Sequence, residues 1–143
     1  MNREERIEKV FQSFREINRT FFQLIRKESE TQGITVIQMV VMRALYEKPN
    51  LGLSELAEKT YTGCSTLSGV VDRLVQADLV IRERLESDRR SITIRLTREG
   101  EEKYKLTFQR VNERLSALLS LADDELDQLL HIHGKISNCL NVS

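Results

Sequence analysis

Residues 62–97, TGCSTLSGVVDRLVQADLVIRERLESDRRSITIRLT, restrict what this chain can fold into more than any other stretch. Two periodicities follow each other there without a gap. Leu67, Val70, Val71, Leu74 and Val75 fall at i, i+3, i+4, i+7 and i+8, which is one face of a 3.6-residue helix. The opposite face carries Ser65, Gly69, Asp72 and Gln76, flanked by Thr66, Ser68 and Arg73. The period then drops to two. Leu79, Ile81 and Leu85 alternate with Val80, Arg82 and Arg84, and later Ile92, Ile94 and Leu96 alternate with Thr93 and Arg95. A polar loop over residues 86–91, with Asp88, Arg89 and Arg90, joins these two strands.

What precedes the stretch completes a pattern. Ser54 is placed to cap a short helix, SELAEKT, that buries Leu56 and Ala57. A turn through Tyr61, Thr62 and Gly63 leads into the longer helix over 64–77. Short helix, tight turn, longer helix and arginine-tipped hairpin together predict a winged helix-turn-helix. Small hydroxyls and a glycine let the longer helix enter a groove, and its positive N-terminal end favours phosphate. A guanidinium at a hairpin tip suits the narrow minor groove, with Asp88 placed to hold Arg90 by a bidentate pair. The chain as a whole has 22 basic and 22 acidic residues, so it is no bulk polycation. Between Arg82 and Arg98, however, six arginines face three acidic residues, and local clustering is what makes an electrostatic footprint.

Long amphipathic helices flank this module. In residues 3 to about 31, Ile7, Val10, Phe11, Phe14, Ile17, Phe21, Leu24 and Ile25 form one apolar stripe, and Gly33 ends it. Thr35, with Gln38 in capping-box spacing, opens a helix carried by Met39, Val40, Met42, Ala44, Leu45 and Tyr46 as far as Pro49. The methionines read as core fillers. Thr97 caps a helix running to about Leu121 through Tyr104, Phe108, Val111, Leu115, Leu118 and Leu119. Asp123, Asp124 and Glu125 start a last helix through Leu126, Leu129, Leu130, Ile132, Ile136 and Leu140. A module of residues 35–97 cannot cover so much apolar surface, so a partner chain is expected to. The expected organisation is mainly α with one β hairpin: an N-terminal dimerisation helix over 1–34, a winged module over 35–97 and C-terminal dimerisation helices over 98–143.

Several other classes find no support. No window approaches the apolar length of a membrane span, and the N-terminal residues lack the apolar run of a signal peptide, so the cytoplasm is expected. His131 and His133 lie roughly 200° apart around a helix and cannot chelate one metal from one face. No nucleophile triad, phosphate loop or dinucleotide fingerprint is present, so neither an enzyme nor a cofactor is expected. Cys64 and Cys139 form no disulfide framework. Cys64 opens the 64–77 helix, where a thiolate is favoured, so a redox-sensing regulator is one alternative. Another is a winged-helix scaffold for protein partners that has lost DNA contact.

The sequence resembles the MarR family of bacterial transcription regulators over nearly its whole length. The resemblance is carried by Gly33, Ile34, Thr35 and Gln38, by LSELAEKT at 53–60, by STLSGVVDRLVQADLVIR at 65–82, and above all by DRRSITIRLTREG at 88–100. It implies an obligate homodimer with intertwined terminal helices, a palindromic operator in double-stranded DNA, and repression. Any small-molecule effector would bind between the helical dimer region and the winged module. It further implies that Ser65, Thr66 and Ser68 face the major groove, that Arg73 faces phosphate, and that Arg89 or Arg90 reaches the minor groove. With Thr62, Gly69 and Asp88 these make the expected DNA-contacting set. Peroxide-sensing members carry a reactive cysteine in the first helix, and residues 1–31 have none. Two departures stand out: Asp78 occupies a place where members often have glycine, implying a left-handed residue at a cost of about 1 kcal/mol, and Val36-Ile37 replaces a proline-bearing helix start.

Overall fold

The structure, a computed structural model, describes residues 1–141, apart from the side chains of Arg89 and Arg90. The chain divides into two compact units, Met1–Val111 and Asn112–Ser143.

The first unit opens with α1 (Arg3–Thr31), closed at its start by a reciprocal Asn2–Glu5 capping box at 2.8 Å each way. It ends where glycine makes ending easy. Gly33 adopts φ +73°, its N–H bonds to the Glu30 carbonyl, and the Ile34 N–H bonds to that of Ser29, each at 3.0 Å. That pair of bonds is a Schellman motif. Thr35 then caps α2 (Val36–Glu47) as expected: the Gln38 N–H donates to Thr35 Oγ1 at 3.2 Å, and the Thr35 N–H to Gln38 Oε1 at 2.9 Å. Met39 and Met42 are core residues, but Val40 and Tyr46 face outward and Val41 takes the buried place.

Helix α3 (Leu53–Lys59) starts earlier than the sequence reading put it. Gly52, not Ser54, is the N-cap, and no side chain caps the helix. The cause lies in the sheet: Leu51 is clamped in a bridge to Ile94, with N–H to carbonyl distances of 3.3 and 2.8 Å, so the chain turns into helix directly after it. Helix α4 (Cys64–Gln76) buries Leu67, Val71 and Leu74 completely, with Val70 and Val75 packed at the edge of the same core.

The hairpin is β1 (Val80–Leu85) paired antiparallel with β2 (Asp88–Leu96). Its loop is shorter than the 86–91 expected, because β2 already begins at Asp88. The register jumps from Arg84 opposite Ile92 to Leu85 opposite Asp88, so residues 89–91 have no partner on β1 and form a bulge. The inward alternation is also shifted. Val80 and Ile94 are buried, whereas Ile81, Leu85 and Ile92 are exposed. Val80, Ile94 and Leu96 share the face packed with the core, Ile81 lies on the opposite face, and Leu85 and Ile92 lie toward the hairpin's far end.

Beyond the hairpin, the LTREG segment fastens α5 (Arg98–Leu115) to the end of α4. Thr97 Oγ1 accepts from the Gly100 N–H at 3.0 Å, the expected cap, and donates to the Asp78 carbonyl at 2.6 Å. A Cβ on Gly100 would lie 1.9 Å from the Leu79 carbonyl oxygen, so only glycine permits this approach. The helix expected to reach Leu121 stops at Leu115 and continues as a 3-10 helix (Ser116–Ser120). Ser116 and Ser120 donate to the carbonyls three residues back, at 2.5 and 2.9 Å, and such bonds compete with regular helix. In the second unit, α6 (Asp123–Leu140) starts with the Ala122 N–H donating to Glu125 Oε2 at 2.8 Å.

Candidate nucleic-acid interface

Helix α4 has two chemically opposite faces. Leu67, Val71 and Leu74 are sealed in the core, which fixes the rotation of the helix. Cys64, Ser65, Thr66, Gly69, Asp72, Arg73 and Gln76 are thereby left exposed, with Ser68 half-buried beside them. The Leu67 N–H is the first to bond within the helix, to the Gly63 carbonyl at 2.9 Å. The N–H groups of Cys64, Ser65 and Thr66 thus have no intrahelical partner, and no side chain caps this end. The exposed first turn therefore presents free donors at the positive end of the helix dipole. Among the described residues, Arg73 makes no ion pair, so its charge is available.

The remaining expected residues are differently placed. Thr62 is half-buried in the turn before α4, and its hydroxyl donates to the Thr60 carbonyl at 3.0 Å. It shapes the turn. Asp88 accepts from Ser91 Oγ at 2.9 Å. The expected Asp88–Arg90 pair and the reach of Arg89 lie outside the described residues; the backbone puts both arginines in the bulge of β2 at the hairpin's far end. Cys64 and Cys139 are free and exposed.

Reading the sequence alone missed how many hairpin arginines are engaged. Arg82 donates to Asp72 and so ties β1 to the polar face of α4. Arg95 donates to Glu83 at 2.6 Å across the strands, between diagonal neighbours in the register. That bond holds the Glu83 carboxyl below the usual carboxylate range and raises Arg95. Arg98 pairs with Glu102 at 3.4 Å, one turn along α5. Among the described residues, Arg82, Arg95 and Arg98 are therefore bound to carboxylates. The i,i+4 spacing of Arg98 and Glu102 was readable in advance. The Asp72–Arg82 and Glu83–Arg95 pairs depend on helix placement and strand register, which carry no local signal.

A sequence profile described as "MarR family" matches residues 34–92. The HTH-type transcriptional repressor MdtR of Bacillus subtilis (strain 168) is 33% identical over 121 residues, covering 81% of this chain and 78% of MdtR. A MarR family protein from Bacillus stearothermophilus has a similar structure, with TM-score 0.85, 28% identity and 99% of each chain covered. A mutant of S. aureus MepR, solved bound to an oligodeoxyribonucleotide, shares the fold at TM-score 0.66 and 23% identity, covering 92% of this chain and 98% of that one. Its relatives are named as transcriptional regulators, and no enzyme is among those named here. Sequence profile, relatives and architecture agree: the chain belongs to the MarR family of winged helix-turn-helix, DNA-binding transcription regulators.

Proposed function

We propose that this regulator works as a cytoplasmic homodimeric repressor on a palindromic operator, released by a small effector. The observation that carries the reading is the division of α4. One face is locked into the core while Ser65, Thr66, Gly69 and Arg73 stand on the exposed face, with uncapped N–H groups behind them. In this reading α4 lies in the major groove, with Ser65, Thr66 and Ser68 toward base edges and Arg73 on phosphate. The hairpin end, with Arg89 and Arg90 positioned from Asp88, enters the minor groove. The name of the repressor MdtR and the DNA-bound state of MepR support this reading.

The helices over 1–34 and 98–143 are the dimerisation elements. Ile7, Val10, Phe11, Ile17, Phe21 and Phe22 are exposed along α1, as are Leu129, Leu130, Ile132 and Leu140 along α6, so both helices leave apolar surface for a partner to cover. A cavity of about 720 Å³ between α1 and α2, lined by Phe21, Phe22, Ile25, Val36, Ile37 and Val40, is the proposed effector site.

The test is a gel shift on the chain's own upstream region at rising salt. A dimer on DNA loses affinity with a log–log slope of about −0.9 per phosphate neutralised. No shift at about 50 mM salt, where such contacts are strong, would favour the protein scaffold instead. Arg90→Ala is expected to abolish the shift while the sedimentation coefficient stays that of the parent.

A further inference from the structure

We propose that Tyr61 is a DNA-backbone contact, its phenol hydroxyl donating to a phosphate beside the groove that α4 occupies. The proposal rests on the DNA-binding reading above and adds a residue to it.

Tyr61 stands immediately after the C-cap of α3. Its N–H bonds to the Glu58 carbonyl at 3.3 Å, the Thr62 N–H bonds to that of Ala57 at 3.0 Å, and its φ is +50°. This is the same motif that ends α1, where Gly33 fills the left-handed position. Glycine is the natural choice there because any Cβ raises the energy of that backbone. A third copy ends α4, where Asp78 has φ +58° with bonds of 3.0 Å from its own N–H to Val75 and from the Leu79 N–H to Leu74. Aspartate is among the few residues that tolerate this conformation. Tyrosine is not.

Among the described residues, nothing compensates Tyr61. The side chain is 99% exposed, and among the described residues its hydroxyl makes no hydrogen bond and its ring no stacking contact. The fold would keep the turn with glycine and lose no packing. A strained residue that persists where the surrounding fold gains nothing from its side chain points to a task outside the fold.

Position identifies the task. Tyr61 lies two residues before Gly63, the N-cap of α4, and so borders the uncapped first turn with exposed Ser65 and Thr66. Tyrosine hydroxyls are among the groups that donate to DNA phosphates and set a protein's register on the duplex. A phenol is also neutral. It displaces no counterion, so its loss weakens binding without changing the salt slope, unlike the loss of an arginine.

Tyr61→Gly and Tyr61→Phe in the full chain test this, using a duplex selected by the parent from random oligonucleotides. Melting temperature, affinity across salt and sedimentation are each measured. Tyr61→Gly is expected to hold or raise the melting temperature while affinity falls at least about tenfold at unchanged slope, as for a hydrogen bond to a charged group. Tyr61→Phe is expected to lose as much. Parent-like affinity in Tyr61→Gly overturns the proposal. So does an affinity loss accompanied by dissociation into monomers, which would place Tyr61 at a subunit contact, and so does full affinity in Tyr61→Phe. A parent chain that selects no duplex at all would instead sink the DNA-binding reading itself.

Discussion

The winged module and the first helix spend their apolar residues in opposite ways. Within the module, Met42, Leu56, Leu67, Val71 and Leu74 come from three helices and meet in one core with no exposure at all. Along α1, residues of the same kind recur just as regularly, yet Ile7, Val10, Phe11, Ile17 and Phe21 stay exposed, and only its last turn, at Glu28 and Ser29, is buried. Amphipathicity therefore says that a face will be covered; it does not say by what. The module is a closed object that presents chemistry outward. The long helices are open on one side, which is the physical basis for proposing a second copy of the chain.

The largest break in that contrast should come from the open side. The double change Ile7→Glu and Phe11→Glu is expected to convert the proposed dimer to monomer in sedimentation and to abolish the DNA shift. An unchanged sedimentation coefficient would mean that this stripe covers no subunit contact. On the closed side, Gly100→Ala forces a Cβ against the Leu79 carbonyl. Overpacking of that kind costs about 3 kcal/mol, to be read as a lower midpoint in denaturant titration; a parent-like midpoint would show that the start of α5 can shift freely.

A subtler division lies between charges used inside the fold and those left over. Arg73→Ala removes an unpaired cation from α4 and should lower affinity alike for all sequences, with the log–log salt slope falling by about 0.9 per phosphate contact, about 1.8 in a dimer. Selective loss on one operator sequence would move Arg73 from phosphate to base reading. Asp78→Gly should have the smallest effect: relief of the left-handed strain stabilises by up to about 1 kcal/mol, seen as a slightly higher midpoint with DNA affinity unchanged. A lower midpoint would show that the Asp78 side chain supports the turn.

Much of this molecule was legible in the sequence because its signals are local. The Thr35–Gln38 capping box, the Thr97 cap and the buried stripe of α4 all depend on residues within a turn or two of each other, and each is found as read; the left-handed Asp78 was implied by the family resemblance and is also found. The errors share another origin. Ser54 has the chemistry of a cap, but the Leu51–Ile94 bridge decided where α3 begins. Ile81 has the alternation of a buried residue, but the register puts it on the face opposite Val80, Ile94 and Leu96, which are the ribbon residues packed with the core. The hairpin arginines looked like a pool of free charge until the register and the helix placement matched Arg95 with Glu83 and Arg82 with Asp72.

The sequence by itself determined which elements form, where most of them stop, and the family to which they belong, since helical period, caps and turn residues act over a few residues. Only the tertiary structure decided which charges remain available and which backbone positions are strained without a folding reason, because both depend on contacts between segments that are distant in the chain or on their absence. Tyr61 is the clearest example: as a letter it is an unremarked turn residue, and in three dimensions it is an exposed ring on a backbone that favours glycine.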